Sequence, residues 1–144
     1  MTKVDEAFLS AFKERVAAQE ISRFWELELE EVGPGRAKVS MVCRPKMANI
    51  LGMVHGSAIF ALVDEAFQAA VNGHGTVAVA LNMNLTFHAA AKMGERLTAQ
   101  TQERHAGRRT ATYFIEVTDP RGRRIATCQA LAYRKDEPLE FAAV

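Results

Sequence analysis

The segment HGSAIFALVDEA at positions 55–66 places two acidic residues, Asp64 and Glu65, at the end of a run of small and apolar residues, and Asp64 is the one of interest. In a helix, residues three, four and seven positions away share its face, and most of these are apolar. They are Ser57, Phe60, Ala61, Phe67, Gln68 and Val71. Since removal from water disfavours the charged form of a carboxyl, we expect a raised pKa and a more basic Asp64. Such a group suits a general base or a nucleophile.

A structural role for Asp64 is the alternative, because ion pairs also shift pKa values. In that case a buried arginine would match the carboxylate, or an oligomer partner would cover it with hydrogen bonds. Glu65 lies about 100° further round the helix. We expect Glu65 to be solvated or salt-bridged, and we assign it no catalytic part.

Residues upstream of Asp64 could supply the other half of an acyl-transfer site. His55 and Gly56 fall where the helix begins, and the first N–H groups of a helix lack intrahelical partners. Glycine lets a substrate approach these amides, so an oxyanion could be held there. Asn49 could orient a water or a carbonyl, or simply stabilise a turn. His55 could equally be a capping histidine, and Gln68 could hold a water or be exposed.

Hydrophobic periodicity predicts the elements that position these residues. In chain order they are a helix over 4–19, strands over 23–32 and 36–44, a loop over 46–55, a helix over 56–72, strands over 76–88, 95–105, 108–118 and 123–134, and a loose tail from Asp136 to Val144. The second helix is apolar on every side, which indicates burial. About six strands and one such helix predict an α+β fold in which a curved antiparallel sheet wraps around the helix.

The totals of the chain fit one domain over 1–144, with a core at 23–134, an N-terminal helical part at 1–22 and the tail at 136–144. A hydrophobic content of 49% with a net charge of +1 provides no field for nucleic acid. Cys43 and Cys128 lack the spacing of a zinc site or a disulfide framework, so we expect both to be reduced core residues. Acids and lysines interrupt the apolar pattern at the N-terminus, and we therefore expect a cytoplasmic protein without a membrane span.

A set of spaced motifs extends beyond the helix. It comprises Asn49-x5-His55-Gly56-x7-Asp64, NMNLTF at 82–87, GERL at 94–97 and a last strand ending in Tyr133-Arg134. With these motifs, the chain from 23 to 134 resembles the hotdog-fold acyl-CoA thioesterases of the PaaI type, which belong to phenylacetate degradation. That family usually has His-Gly-Gly, where this chain has Ser57, and some relatives place a Ser or Thr near Ala80.

The resemblance implies a role for each residue of the motif. Asp64 would be the general base or nucleophile, and the Gly56 N–H would donate to the oxyanion. Asn49 and His55 would position thioester and water, with the Ser57 hydroxyl near the thioester. The family needs no metal and no cofactor besides the CoA of its substrate. It also implies a homodimer as the minimal active unit and a homotetramer as the full assembly.

Helix geometry points to a composite site. Gly56 and Asp64 are eight residues apart, which is roughly 12 Å along a helix axis. Both groups must act within about 3–4 Å of one reacting centre. We therefore expect Asp64 of one subunit to face Asn49, His55 and Gly56 of another.

The remaining substrate contacts come from apolar and basic residues. The apolar residues Phe60, Phe67 and Val71 indicate an aromatic or medium-length acyl group. The CoA phosphates require a basic rim, for which Arg108 in the tip at 104–109 is favoured over the tip at 121–124. Exposed turns are also basic for solubility alone. Neither tip carries the aromatic platform that nucleic-acid binding uses.

Two other functions fit parts of the pattern. A hydratase or dehydratase acting on acyl thioesters could use His55 and Asp64, but it leaves Asn49 without a part. A non-catalytic acyl-CoA binding module would retain ligand and lose nothing measurable in the Asp64→Asn variant. A hydrolase would lose turnover and still bind.

Overall fold

The computed structural model describes residues 3–141. Two short helices precede the sheet, and a long helix is inserted between its second and third strands. The elements are α1 (Glu6–Ala18), α2 (Glu20–Trp25), β1 (Glu28–Gly33), β2 (Arg36–Val42), a 3₁₀ turn (Pro45–Met47), α3 (Gly56–Asn72), β3 (Thr76–Phe87), β4 (Arg96–Ala106), β5 (Thr110–Thr118) and β6 (Arg124–Pro138).

The six strands form one antiparallel sheet in the order β1-β2-β4-β5-β6-β3. The sheet curls around α3, which contacts every strand, and α1 lies beside β1 at one end. The other end of the sheet is β3, whose outer edge pairs with no strand among residues 3–141. The predicted α+β architecture is confirmed.

Helix α3 has the bounds that the sequence predicts. His55 caps its start, where the ring Nδ1 accepts a hydrogen bond from the Ser57 N–H at 3.0 Å. Its buried residues lie on several sides, as expected of a helix enclosed by a sheet. The helix ends at Gly73, where a Cβ would lie 2.5 Å from the Gly33 carbonyl oxygen. Only glycine therefore allows this close contact between α3 and the β1–β2 turn.

The N-terminal region differs from the prediction in one element. Helix α1 agrees with it, and the Asp5 carboxylate caps it by accepting from the Phe8 N–H at 3.0 Å. The strand predicted from Arg23 is wrong at its start, because 20–25 form α2 and β1 begins only at Glu28. The reversal occurs at Glu26, which adopts a left-handed conformation with φ of 54°.

The predicted loose tail is also wrong for the residues that the structure describes. Strand β6 continues to Pro138, which pairs with Thr76, and the Leu139 N–H donates to the Gly75 carbonyl at 2.9 Å. The Phe141 ring packs against Phe8 and Phe12 at centroid distances of 5.9 and 6.0 Å. The segment after β6 thus closes over α1. Residues 142–144 lie outside the described part of the chain.

Cys43 and Cys128 are free and buried, as predicted. Burial raises the pKa of the Cys43 thiol to about 11, which keeps it protonated and unreactive at neutral pH. Within 3–141, no three His, Cys, Asp or Glu side chains are grouped so that they could hold a metal ion. No helix in this range is long and apolar enough to cross a membrane.

Candidate active site

Asp64 lies midway along α3 on the one side of the helix that the sheet leaves open. None of the residues 3–141 forms an ion pair or hydrogen bond with its carboxylate, so the alternative of a matching arginine finds no support in the described chain. Asp64 is exposed as a residue, yet the surrounding protein desolvates its carboxyl enough to raise the pKa of Asp64. The predicted direction of this shift is correct.

The Asp64 carboxylate opens into a small cleft between α3 and the start of β3. We call this the Asp64 cleft. Its volume is about 240 Å³, and it is lined by Asp64, Phe67, Gln68, Val71, Asn72, Ala78, Val79 and Ala80. Five of these eight residues are apolar, but polar and apolar atoms share the exposed wall about equally, and no lysine, arginine or histidine lines it. Two amides, from Gln68 and Asn72, are the neutral hydrogen-bonding groups beside the acid.

The two predicted aromatic contacts occupy different environments. Phe67 is 1% exposed and packs edge-on against Tyr113 at a centroid distance of 5.4 Å, so it forms part of the core as well as the wall of the cleft. Phe60 is 39% exposed, although most residues of α3 are buried. A ring left in solvent on an otherwise buried helix is available to a substrate or to another subunit.

Glu65 is buried, and the expectation of a solvated or salt-bridged side chain is wrong. Its Oε1 accepts a hydrogen bond from the Ser22 hydroxyl at 2.7 Å and a longer one from the Gln19 amide at 3.3 Å. Burial and the nearby charge of Asp64 raise the pKa of Glu65, while the Ser22 and Gln19 bonds oppose the shift. Neutral donors on α2 and on the residue before it therefore replace the expected cation.

The start of α3 presents a free amide. The His55 Nδ1 accepts from the Ser57 N–H and lies 2.8 Å from the Ser57 hydroxyl, so a neutral imidazole carries its proton on Nε2. The Gly56 N–H has no hydrogen-bond acceptor among residues 3–141. A Cβ at Gly56 would lie 3.0 Å from Cζ of Phe87, and this close approach explains the glycine.

Asn49 stabilises a turn, which was one of its two predicted roles. Its Oδ1 accepts from the N–H groups of Leu51 and Met53 at 2.9 and 3.0 Å. This turn holds the loop that enters α3. The Nδ2 group makes no hydrogen bond to another described residue, so it can still donate to a ligand.

The acid and the free amide open into separate clefts of the same chain. The cleft at the helix start, about 450 Å³, is lined by Met53, Val54, Gly56, Ile59 and residues 87–91. Among the described residues, none lines both this cleft and the Asp64 cleft. One chain therefore does not bring Asp64 and Gly56 together.

Arg108 lies in the exposed turn between β4 and β5 and does not line the Asp64 cleft. Thr110 pairs with Tyr133, and Tyr133 pairs with Val79 in the wall of the cleft. Two strand spacings, about 10 Å, thus separate β5 from the cleft wall. The basic turn is at the same end of the sheet as the Asp64 cleft but remains apart from the acid within one chain.

Sequence reasoning missed Asn72 and Val79 as walls of the Asp64 cleft. The signal for Asn72 was available, since it lies two turns after Asp64 on the same helix face. Its amide bonds the carbonyls of Gln68 and Ala78 and accepts from the Ala78 N–H. Val79 depends on the register between β3 and the helix, for which the sequence contains no local signal.

A curled antiparallel sheet around one central helix is the arrangement of the hotdog fold. The Thioesterase superfamily model matches residues 51–137, and the chain belongs to this family. It is an enzyme of the acyl-CoA thioesterase class, and its hotdog fold is established by the same comparisons.

Individual relatives agree with this assignment. A putative esterase from Archaeoglobus fulgidus is 40% identical over 77% of this chain and 70% of its own length. The acyl-coenzyme A thioesterase PaaI of Escherichia coli is 32% identical over 75% of this chain and 77% of its own. The structure of E. coli PaaI, from the phenylacetic acid degradation operon, superimposes with a TM-score of 0.83 at 27% identity, covering 92% of this chain and 99% of PaaI.

Proposed function

We propose that the protein hydrolyses an aryl- or medium-chain acyl-CoA to the free acid and CoA in a site shared by two subunits. The observation that carries this proposal is Asp64, a carboxyl with a raised pKa and no ion pair or hydrogen bond to residues 3–141, in a cleft lined by apolar side chains and two amides. A carboxylate in this state retains free lone pairs for a proton or for an acyl carbon. The sequence similarity to a named acyl-CoA thioesterase supports the substrate class.

The chemistry needs a nucleophile and an oxyanion donor. In one route Asp64 takes a proton from water, which attacks the thioester carbonyl and expels the CoA thiolate. In the other, the Asp64 carboxylate attacks the carbonyl and expels the CoA thiolate, and water then opens the mixed anhydride to release the free acid and restore Asp64. In both routes the Gly56 N–H of the partner subunit donates to the carbonyl oxygen as negative charge develops. His55 and Asn49 hold the thioester in place, with the Ser57 hydroxyl beside it.

The free edge of β3 supports the shared site. Large apolar side chains near this edge are exposed, and we call them the edge patch: Met53, Phe60, Val79, Leu81 and Phe87. Unpaired strand edges with apolar side chains favour strand addition, and most homodimers are two-fold symmetric. We propose that two β3 strands pair antiparallel about a two-fold axis at Met83, which would place Val79 beside the partner's Phe87 and thus an Asp64 cleft opposite a Gly56 cleft.

Residue spacing along α3 agrees with such a two-fold arrangement. Phe60 is midway between Gly56 and Asp64 in the sequence. If the Asp64 of each subunit faces the Gly56 of the other, the two-fold axis passes beside Phe60, which is the exposed ring of α3. We propose that the CoA phosphates bind basic residues at the rim of this interface, with Arg108 as the first candidate, and that dimers pair into a tetramer.

The test is a panel of acyl-CoA substrates assayed by free-thiol release. Wild type should hydrolyse at least one aryl- or medium-chain substrate. Asp64→Asn should lower kcat on the order of 10²–10⁴-fold while the KM for the substrate changes little. Asp136→Asn, an identical change on the exposed part of β6, is the control and should keep full activity. Equal thiol release by wild type and Asp64→Asn on every substrate would refute the hydrolase.

A further inference from the structure

A second cavity lies behind the Asp64 cleft, between α1, α3 and the segment after β6. We call it the acyl groove. Its volume is about 310 Å³, at the lower end of the range for ligand pockets. It is lined by Phe12, Arg15, Val16, Gln19, Gln68, Asn72, Leu139 and Phe141. The lining is mainly apolar, and the Phe12 and Phe141 rings meet edge-on at 6.0 Å.

The acyl groove and the Asp64 cleft are adjacent, because Gln68 and Asn72 line both. Within 3–141, no other residue lines both cavities. Gln68 is one helical turn from Asp64, which is about 6 Å along the axis. A chain that starts with its carbonyl at Asp64 therefore enters the groove by passing these amides.

The two shared residues are held to different degrees. Asn72 makes three hydrogen bonds: it donates to the Gln68 carbonyl at 3.1 Å and the Ala78 carbonyl at 3.2 Å, and accepts from the Ala78 N–H at 3.0 Å. The Gln68 side chain is held by one described bond, from its Nε2 to Gln19 Oε1 at 3.2 Å. A neutral bond of this kind contributes about 1 kcal/mol. Gln68 can therefore turn aside at small cost while Asn72 stays fixed.

We propose that the acyl groove binds the distal, apolar end of the acyl group, and that Gln68 turns to admit it. This inference rests on the proposed function, since it places the thioester at Asp64. The groove accepts a phenyl ring or an alkyl end, because its walls are aromatic and aliphatic side chains. A two-carbon acyl group is too short to pass Gln68 and gains nothing from the groove.

The experiment uses two CoA thioethers that cannot be hydrolysed, S-octyl-CoA and S-ethyl-CoA, in calorimetric titrations of the whole protein. Wild type should bind the octyl compound at least tenfold more tightly, since each buried CH₂ contributes about 0.8 kcal/mol. Leu139→Trp fills the groove and should reduce this preference to less than about threefold, a loss of about 0.7 kcal/mol or more. Glu140→Trp, the same bulk on the exposed neighbouring residue, is the matched control and should keep the preference.

Binding of S-ethyl-CoA should be the same in all three proteins, which separates a filled groove from a misfolded chain. Should Leu139→Trp fail to fold, Val16→Phe fills the groove from the α1 side and should give the same result. Equal affinity of wild type for both thioethers, or binding of neither, overturns the inference. So does a preference for octyl that survives both groove-filling variants. A preference that these variants abolish, in a protein that releases no thiol from any acyl-CoA, keeps the groove and removes only the hydrolase.

Discussion

Asp64 and Glu65 are consecutive residues of α3, yet their surroundings give them opposite capabilities. The Glu65 carboxylate accepts hydrogen bonds from Ser22 and Gln19 inside the protein and is 5% exposed. The Asp64 carboxylate accepts none from residues 3–141 and borders a cleft. Both have raised pKa values, chiefly because of desolvation. Only Asp64 combines that basicity with access to a substrate, so the environment and not the residue type selects the base.

The pH dependence of turnover should report the Asp64 carboxyl. As a base or nucleophile it must be deprotonated, so kcat should fall as the pH drops through its pKa. Because desolvation raises this pKa, the fall should begin at a higher pH than the value near 3.9 of an ordinary aspartate would give. Measuring kcat from pH 4 to 9 checks this. A rate that stays constant down to the ordinary aspartate range would contradict the assignment.

Gly56 should not tolerate a side chain. In Gly56→Ala the new Cβ would meet the Phe87 ring at 3.0 Å, which shifts either the ring or the first amide of the helix. A displacement of the amide that donates to the oxyanion should lower kcat on the order of tenfold or more.

Phe87→Leu provides the test of this cause. The double variant with Gly56→Ala should recover part of the lost kcat, because the shorter side chain removes the contact. Phe87→Leu alone serves as the control. If the double variant is no faster than Gly56→Ala, crowding by Phe87 is not the reason for the glycine.

For single residues, the sequence predicts effects of neighbours along the chain better than contacts with residues far away in sequence. The raised pKa of Asp64 followed from the apolar residues on its helix face, which are local in sequence. The environment of Glu65 did not, because Ser22 and Gln19 are 43 and 46 residues away along the chain. A contact of that kind depends on how α2 packs, and α2 itself was not predicted.

Among the elements, α2 is attached to α3 through this buried carboxyl. The Ser22 hydroxyl and the Gln19 amide both reach Glu65, and Gln19 also accepts from Gln68. The α1–α2 junction is thereby connected to the helix that carries Asp64. The hydrogen bonds do not fully compensate the burial, since the pKa of Glu65 remains raised.

Glu65→Gln should change how stability depends on pH. A carboxyl whose folded pKa is raised favours the folded state when protonated, and that contribution is lost as the pH rises through the folded pKa. Glutamine keeps the acceptor for Ser22 without a charge. The melting temperature of the Glu65→Gln variant should therefore equal that of wild type near pH 4 and exceed it by at least about 2 °C at pH 8. Thermal unfolding at both pH values, with Glu137→Gln on exposed β6 as control, measures the difference. A difference in melting temperature between the variant and wild type that is the same at both pH values would contradict a raised pKa of Glu65.

The sequence predicts the long elements closely and the short ones poorly. The bounds of α3 were correct because a buried helix of this length has a strong apolar pattern and ends at glycine. Helix α2, with six residues, is too short to display a helical period, and alternation from Phe24 onward favoured a strand. The extension of β6 to Pro138 depends on pairing with β3. Its charged residues, Lys135 to Glu137, show no strand pattern of their own.

For the whole molecule, the separation of the two clefts is the decisive feature. Asp64 and Gly56 open into different clefts, and residues of the edge patch line both: Val79 the Asp64 cleft, and Met53 and Phe87 the cleft at Gly56. A two-fold partner would complete two identical sites, each with the acid of one subunit and the amide of the other.

Mixing two inactive variants should restore activity if the site is shared. In a heterodimer of Asp64→Asn and Gly56→Val, one site has both native residues and the other has neither. Random subunit exchange gives heterodimers as half of all dimers, so about one quarter of wild-type activity should return. The assay compares the mixture, after reversible unfolding, with each variant alone, and light scattering records whether dimers or tetramers form. A mixture as inactive as its components would place both groups of each site in one chain.

Because the edge of β3 is open, the specific activity of the enzyme should depend on the protein concentration. If Asp64 and Gly56 form an active site only in a dimer, the turnover per subunit depends on the fraction of subunits that are paired. It falls once the solution is dilute enough for the copies to part, and the free strand then exposes Leu81 and Phe87 to water.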